Sequence, residues 1–329
     1  MKTMHSKKST ISIVTPFYNE EDVVDHFYQK LTEVIDKINN YNFDVICIND
    51  GSKDDTLNKL LNLMENDHRI QIVDLSRNFG KEAALTAGID EAHGNAIIPF
   101  DADLQDPPNL IPVLLEKWEA GYEVVLARRS DRKSDGFLKR KTAELFYKVN
   151  NGISDISIPE NVGDFRLMDE IVVEALRNLP ENRRFMKGLF AWVGFRTTIV
   201  DYVREPRTGG KTKFSGWKLW KLALEGITSF STAPLQFWTY VGAIISFLSF
   251  CYAFFIVGRT LIFGIDVPGY ASLITIILFM GGVQLLGIGV LGEYIGRVYV
   301  ESKHRPIYLV RKKFSKKLVR VSNETTRLQ

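Results

Sequence analysis

Two aspartates separated by one residue are the side chains in this sequence best suited to chemistry. Asp101 and Asp103 come directly after the apolar run 96–100. Pro107 and Pro108 then prevent a strand from continuing past them. Side chains at positions i and i+2 of a strand leave the same face, so the two carboxylates can converge on one divalent cation. Such a cation would take phosphate oxygens as its remaining ligands.

The tripeptide alone leaves two other interpretations open. An Asp-x-Asp at a strand end can be a solvated turn whose carboxylates cap the backbone. It can also hold the aspartyl nucleophile of a phosphotransferase, but the continuation 104–107, Leu-Gln-Asp-Pro, lacks the Gly-Thr type of sequence expected there. The surrounding sequence must therefore decide.

Alternating strand and helix signals predict the framework that positions these aspartates. Amphipathic stretches of roughly 15 residues separate apolar, strand-like runs. These runs are 11–15, 43–48, 70–75, 96–100 and 123–127. The alternation is typical of βαβ units, and it predicts an α/β domain with a Rossmann-like, mainly parallel sheet.

Polar segments follow four of the predicted strands. They are 16–20, 49–52, 77–81 and 101–106. Ligands of parallel sheets bind beyond the carboxyl ends of the strands, so we expect these segments to meet at one edge. Ser52 and Asp54 can act as helix caps as readily as ligand contacts, whereas Asp50 is the better candidate for contacting a base.

The first strand is not followed by a glycine-rich phosphate-binding motif. Neither G-x-G-x-x-G nor G-x-x-x-x-G-K-[ST] occurs there. The backbone cradle of dinucleotide enzymes and P-loop proteins is therefore missing. A bound diphosphate would have to be neutralised by metal and side chains instead.

Charge is unevenly distributed along the 329 residues. The segments 226–258 and 267–292 contain no charged residue. A helix needs about 20 residues to cross about 30 Å of hydrocarbon, and both segments are long enough. Buried core helices are the alternative, although soluble helices seldom stay apolar on all sides over this length. We predict two transmembrane helices.

Basic residues after the second span determine the predicted topology. The linker 259–266 is short and almost neutral, whereas many cations follow residue 296. They are Arg297, Lys303, Arg305, Arg311, Lys312, Lys313, Lys316 and Lys317. The positive-inside rule then puts both ends of the chain in the cytoplasm. Residues 1–10 are polar, so we expect no cleavable signal peptide.

Composition argues against several other classes of function. The formal net charge of +3 is too small to indicate nucleic-acid binding. Anionic lipid headgroups explain the basic C-terminal cluster better. Cys47 and Cys251 lie far apart in different surroundings, so neither a disulfide nor a thiolate metal site is expected.

The motifs and their order resemble family 2 glycosyltransferases with the GT-A fold. The resemblance is carried by segments 15–21 (Thr-Pro-Phe-Tyr-Asn-Glu-Glu), 49–52 (Asn-Asp-Gly-Ser), 77–82 (Arg-Asn-Phe-Gly-Lys-Glu), 101–105 (Asp-Ala-Asp-Leu-Gln) and 163–167 (Gly-Asp-Phe-Arg-Leu). Together with the two spans, they look like polyisoprenyl-phosphate glycosyltransferases, which include bactoprenol glucosyltransferases and dolichyl-phosphate mannose synthases. Residues 286–297, Leu-Gly-Ile-Gly-Val-Leu-Gly-Glu-Tyr-Ile-Gly-Arg, are a particularly specific match.

The resemblance implies roles for the residues at matching positions. Mg²⁺ or Mn²⁺ would be held by Asp101 and Asp103. Asp164 would be a base-like or acceptor-orienting carboxylate, and we assign catalytic roles to Asp164 and Asp103. A structural Asp164–Arg166 pair is the alternative. The nucleotide sugar would contact Pro16, Tyr18, Glu20, Asp50, Lys81, Asp101, Asp103 and Gln105.

Cations further along the chain can bring two phosphate-bearing substrates together. The cations around the end of the fifth predicted strand are Arg128, Arg129, Arg132, Lys139 and Arg140. For the acceptor phosphate we select Arg128 with Lys139 or Arg140, although a run of cations like this is usually a solvated surface. The Gly-rich segment 205–215 can close over the diphosphate through Arg207 and Lys211, unless it is a plain basic linker. Asp106 and Pro108 flank Pro107 where many relatives carry His-Pro, which leaves the sugar preference open.

These expectations define four regions. A cytoplasmic GT-A domain covers 1–210, an interfacial amphipathic region covers 211–233, two transmembrane helices lie within 234–298, and a basic cytoplasmic tail covers 299–329. The interfacial helix is indicated by apolar residues at helical spacing, Trp217, Trp220, Leu224 and Ile227. Gly292 and Gly296 permit close helix packing, which is compatible with a homo-oligomer.

The predicted reaction is an inverting transfer of one sugar from a UDP-sugar to undecaprenyl phosphate. It would take place at the inner membrane and supply a lipid-linked sugar for modifying an envelope polysaccharide. The resemblance favours glucose from UDP-glucose, with N-acetylglucosamine or mannose as alternatives. A non-catalytic nucleotide-sugar-binding scaffold is a further alternative. A processive polysaccharide synthase would carry a Gln-x-x-Arg-Trp motif and more spans, and neither is found in the sequence.

Overall fold

The computed structural model describes residues 8–130, 161–182, 184, 186–203, 232–263 and 269–316. Its strands are β1 (Thr10–Phe17), β2 (Asn42–Asn49), β3 (Ile70–Leu75), β4 (Ala96–Pro99), β5 (Val124–Arg129), β6 (Val162–Asp169), β7 (Thr197–Tyr202) and β8 (Val310–Ser315). Its helices are α1 (Val24–Ile35), α2 (Thr56–Asn66), α3 (Lys81–Glu91), α4 (Ile111–Glu119), α5 (Glu170–Arg177), α6 (Met186–Trp192), α7 (Ala233–Phe263) and α8 (Tyr270–Ser302). The five strands expected from the apolar runs are β1 to β5.

The described strands form one mixed, mainly parallel sheet in the order β7-β5-β6-β4-β1-β2-β3-β8. β1 pairs in parallel with β2 and β4, β2 with β3, and β5 with β7. β6 is antiparallel to both of its neighbours, β4 and β5. The predicted α/β architecture is therefore confirmed, and the carboxyl ends of β1, β2, β3 and β4 share one edge of the sheet.

Helices pack on both faces of the sheet because its strand side chains alternate between two apolar layers. Ile13 and Val14, consecutive residues of β1, belong to different buried clusters. α3 lies very close to one face. A Cβ added at Gly88 would be 2.2 Å from the side chain of Val14 and 2.5 Å from that of Ile48. The absence of a side chain at Gly88 therefore allows α3 to pack close to the sheet. This close packing brings Lys81, the first residue of α3, to the edge where the strands end.

α7 and α8 are both long and apolar enough to cross a membrane. The qualifying stretches are Leu235–Phe263, with a mean hydropathy of 2.2, and Phe279–Ser302, with 1.3. The apolar residues of these two stretches are not buried by the rest of the described protein. The alternative of two buried core helices is therefore wrong, because a core helix would be covered by the rest of the protein.

β8 returns the chain to the sheet after α8. It pairs antiparallel with β3, with Phe314 opposite Ile72 and Lys312 opposite Asp74. The run of cations predicted a basic tail at these positions and no strand. Lysine-rich strands are common at sheet edges, where charge discourages further pairing.

Several predicted features lie outside the described residues. They include Lys139, Arg140, Arg207 and Lys211. The interfacial region 211–233 also lies outside them, apart from its last two residues.

Candidate active site

Asp50, which follows β2, holds the turn that follows β3. Its Oδ1 accepts a hydrogen bond from the backbone N–H of Phe79 at 2.7 Å. Its Oδ2 accepts from the N–H of Gly80 at 2.9 Å and from the Asn78 amide at 3.0 Å. Burial raises the pKa of Asp50, and the two backbone hydrogen bonds offset only part of that effect. Asp50, which the sequence predicts to contact a nucleotide base, thus also orients the turn that leads to Lys81.

The segments after β1 and β2 are also joined. The N–H of Asn19 donates to Ser52 Oγ at 3.0 Å, and the N–H of Glu20 donates to Thr56 Oγ1 at 3.0 Å. Asp54 accepts from the N–H and the hydroxyl of Thr56, which supports its capping role. Pro16 lies in β1 opposite Ile48, and the ring of Tyr18 is exposed beyond the strand end. The predicted convergence of polar segments at this edge is therefore present.

Lys81 lies at the centre of the candidate site. Its Nζ donates to Asp101 Oδ2 at 2.8 Å and to Asp164 Oδ2 at 2.7 Å. Burial alone would lower the pKa of Lys81, but the two carboxylates outweigh it and raise that pKa. One ammonium group thus joins a carboxylate that follows β4 to a carboxylate within β6.

The two carboxylates that share Lys81 differ in their electrostatics. Burial raises the pKa of Asp101, and Lys81 offsets that effect only in part. Burial also acts on Asp164, but Lys81 and Lys187 hold the pKa of Asp164 below its ordinary value. Asp164 is therefore more readily ionised than Asp101. An additional cation would stabilise the ionised form of Asp101, whose pKa is raised.

Asp101 and Asp103 lie in the segment after β4 rather than in the strand itself, and two carboxylates can hold a divalent cation together with ligands from a substrate. Among the described residues, no three His, Cys, Asp or Glu side chains form a metal-binding group. Mg²⁺ is commonly held by one or two carboxylates together with substrate phosphates, which suits this pair. Within the described part of the chain, both amide atoms of Gln105 and Oδ1 of Asp164 are buried without a hydrogen-bond partner. Buried polar atoms of this kind indicate a place where a ligand supplies the missing partners.

The loop after β4 is held by a cluster that the sequence analysis did not predict. Asp106 accepts a hydrogen bond from the Tyr202 hydroxyl, and Arg129 Nη2 lies 3.6 Å from its Oδ1. Arg129 Nε also donates to the Tyr202 oxygen at 3.1 Å. Leu104, inside the loop, has a φ of 53°, a conformation that branched side chains rarely adopt. The ends of β5 and β7 therefore fix the Asp101–Asp103 loop from one side.

Arg128 and Arg129 are neighbours in β5 but face different surroundings. Arg128 pairs with Asp201 at 2.7 Å, and these two side chains are 43% and 51% exposed. Arg129 lies beside the segment that carries Asp164, since a Cβ added at Gly163 would be 3.5 Å from its Nη2. Arg128 was selected from a run of cations that also includes Arg129, and Arg129 is the one of the two that lies beside the Asp164 segment.

Arg166 supports Asp164 through the backbone. Its Nη2 donates to the carbonyl of Gly163 at 2.7 Å, and its Nε to the carbonyl of Asp164 at 3.4 Å. Its guanidinium stacks 4.1 Å from the ring of Phe190, and burial lowers its pKa to about 10. The described hydrogen bonds of Arg166 thus go to carbonyl oxygens, while the Asp164 carboxylate bonds to Lys81. This arrangement differs from the simple Asp164–Arg166 carboxylate pair.

The mainly parallel sheet with helices on both faces agrees with the GT-A fold expected from the sequence. The chain belongs to glycosyl transferase family 2, whose sequence profile matches residues 12–177. It is 57% identical to an uncharacterized glycosyltransferase of Synechocystis, over 91% of this chain and 94% of that relative.

Two further relatives carry a more specific name. The chain is 55% identical to a bactoprenol glucosyl transferase of Shigella phage SfV, over 92% of this chain and 98% of that relative. It is 54% identical to a prophage bactoprenol glucosyl transferase homolog of Escherichia coli K12, over the same shares of the two chains. Both similarities extend well beyond the profile match and cover most of the protein.

Proposed function

We propose that this protein transfers glucose from UDP-glucose to undecaprenyl phosphate, with inversion at the anomeric carbon. The observation that carries the proposal is the 55% identity to a bactoprenol glucosyl transferase over 92% of this chain. The glucosyl lipid would then supply glucose for modifying an envelope polysaccharide. The Lys81-centred carboxylates and the unburied apolar helices are the structural features that this reaction requires.

The donor occupies the carboxyl edge of β1, β2 and β4. Tyr18 and Asp50 contact the uridine, assisted by Pro16 and Glu20, and Gln105 contacts the sugar diphosphate. Asp101 and Asp103 would hold Mg²⁺ or Mn²⁺, which would supply positive charge to offset the charge that develops on the departing UDP. Lys81 adds a second positive charge beside the same diphosphate and keeps Asp101 in place.

The acceptor phosphate approaches from the side of Asp164. One of its oxygens forms the bond to the anomeric carbon while the bond from that carbon to the UDP oxygen breaks. A phosphate monoester has a second pKa of about 6, so a strong general base is hardly needed. Asp164 therefore acts mainly by position, held by Lys81 through its carboxylate and by Arg166 through its backbone.

Cations must offset the repulsion between two phosphate-bearing substrates. Arg129 fits this role because it lies beside Gly163 and also interacts electrostatically with Asp101. Arg128, Lys139 and Arg140 remain the cations that the sequence predicts for the acceptor, and Arg207 and Lys211 those for the donor.

α7 and α8 anchor the protein in the inner membrane, with the catalytic domain in the cytoplasm. β8, which follows α8, pairs with β3, which precedes α7. A strand pair of this kind requires that both flanks of the two helices lie on the same side of the membrane. The basic residues after α8 favour the cytoplasmic side.

The decisive experiment supplies purified full-length protein with radiolabelled UDP-glucose, Mn²⁺ and undecaprenyl phosphate. The expected result is a labelled glucosyl lipid that is absent when the phosphate lipid is omitted. UDP-N-acetylglucosamine and GDP-mannose, tested in parallel, identify the sugar. Bound UDP-glucose without any lipid product from any donor would instead support a nucleotide-sugar-binding scaffold.

A further inference from the structure

β8 and the residues around it lie against the turn that carries Lys81. Arg311 Nη2 donates to the carbonyl of Ser76 at 2.7 Å. The N–H of Ser76 donates in turn to the carbonyl of Leu309 at 2.8 Å. The turn that bonds to Asp50 therefore begins at a residue held on both sides by the chain that follows the second apolar helix.

Arg311 also faces a buried carboxylate beneath the donor site. Its Nη1 lies 3.6 Å from Asp74 Oδ2, and the Asp74 side chain is only 3% exposed. The other oxygen of Asp74 accepts a hydrogen bond from the Asn49 amide at 2.7 Å. A buried carboxylate is costly without a compensating charge, and Arg311 supplies one.

Asn49 extends this chain of contacts to the proposed nucleoside site. Its Oδ1 accepts from the N–H of Ser52 at 3.2 Å, and Ser52 Oγ accepts from the N–H of Asn19. Asn49 also directly precedes Asp50. An ion pair between Arg311 and Asp74, followed by hydrogen bonds through Asn49, thus connects Arg311 to the segments after β1 and β2.

We infer that Arg311 is a positioning residue for the nucleotide-sugar donor, an inference that rests on the proposed function. Arg311 orients Asp74 and Ser76, and through them Asn49 and the turn that places Asp50 and Lys81. It lies outside the glycosyl transferase profile match, which ends at residue 177, and beyond both apolar helices. The donor site is therefore completed by the part of the chain that follows the membrane helices.

The test compares Arg311→Ala and Arg311→Lys with Lys313→Ala in the full-length protein. Lys313 is the matched control because it lies in the same strand and pairs with Glu91 of α3 instead. Arg311 is 59% exposed, so its pair with Asp74 is partly screened and a moderate effect is expected. Arg311→Ala should raise the KM for UDP-glucose and the Kd for UDP by about three- to tenfold, with kcat changed less than about twofold.

Two further readouts separate positioning from general destabilisation. Arg311→Lys should recover part of the UDP affinity, because it keeps a positive charge near Asp74. Lys313→Ala should leave UDP affinity unchanged, and the thermal midpoints of the variants should not follow their UDP affinities. If Arg311→Ala does not fold, Arg311→Gln replaces it, since glutamine can still donate to the Ser76 carbonyl.

Unchanged UDP affinity in the Arg311 variants, or an equal loss in Lys313→Ala, would overturn the inference. A wild-type protein that binds UDP but makes no glucosyl lipid leaves this comparison intact and overturns the proposed function alone. A wild-type protein that binds no UDP overturns both.

Discussion

Lys81 Nζ lies 2.7 Å from a carboxylate oxygen of Asp164 and 2.8 Å from one of Asp101. Asp164 lies in β6, Asp101 follows the adjacent antiparallel strand β4, and the lysine is the first residue of α3. One cation therefore joins the proposed metal-binding carboxylate to the proposed acceptor-orienting carboxylate. This relationship makes the donor and acceptor halves of the site dependent on each other.

Replacing Lys81 by methionine should lower kcat by about a hundredfold, since a charged donor aimed at the reacting groups is lost. The pKa of Asp164, which Lys81 holds down, should rise, so the acidic limb of the pH–rate profile should move to higher pH. Steady-state rates measured across pH check both effects. Lys59→Met is the control, because Lys59 pairs with Asp25 on the surface. A Lys81 variant with an unshifted acidic limb would show that the ammonium does not govern Asp164.

Asp164→Asn should lower kcat by about 10²- to 10³-fold, because the amide cannot replace the charge that pairs with Lys81. The Kd for UDP should change less than about threefold, since the proposed nucleoside contacts lie at the end of β1 and in the segments after β1 and β2. Turnover assays and calorimetry with UDP measure the two quantities. Loss of UDP binding would refute the assignment of Asp164 to the acceptor side.

Removing divalent cations with a chelator should abolish turnover, and Mg²⁺ or Mn²⁺ should restore it. Asp103→Asn should require about tenfold more metal for half-maximal activity, because one of the two proposed carboxylate ligands is lost. Metal titrations of activity and of UDP affinity provide the measurement. Full activity in the chelator would rule out the metal role of Asp101 and Asp103.

Arg129→Ala should raise the KM for undecaprenyl phosphate by about tenfold, because Arg129 lies beside the Asp164 segment. Arg128→Ala should change it less than about twofold, since Arg128 pairs with Asp201 in a solvated position. Kinetics with varied acceptor and saturating donor compare the two neighbours directly. A larger effect at Arg128 would support the assignment made from the sequence and contradict the role proposed for Arg129.

Glu82→Gln should change how stability depends on pH. Burial raises the pKa of Glu82 to about 7, whereas an unfolded glutamate ionises near 4.5. The folded protein therefore retains a proton that the unfolded chain loses in this interval, and the free energy of unfolding falls as pH rises from 4.5 to 7. Glutamine removes this dependence and can still accept from the N–H of Met186, as Glu82 does at 3.3 Å.

The measurement for Glu82 is the thermal midpoint of wild type and variant at pH 5 and pH 8. The variant should gain stability relative to wild type as pH rises. Glu33→Gln, on the exposed surface of α1, should show no such gain. An equal gain for both variants would mean that the effect is one of net charge.

The sequence by itself predicted five of the eight described strands, the two long apolar helices and the chemistry proposed for the site. Apolar runs and their spacing predicted β1 to β5, because side-chain periodicity acts within a few residues. The same local pattern put the Asp101 motif at a strand end. Hydrophobic length predicted the two apolar helices. The resemblance of motifs predicts site roles for Asp164 and Lys81 without indicating that the two side chains touch.

Only the tertiary structure decided which of these residues meet. Lys81 and Asp164 are 83 positions apart, and their contact depends on the insertion of β6 between β4 and β5. Which of Arg128 and Arg129 faces the site depends on how β5 sits between β6 and β7. β8 pairs with β3 across two long helices, and no local pattern encodes a partner so distant. Sheet order and long-range pairing are set by the packing of the whole domain, which single-sequence periodicity does not record.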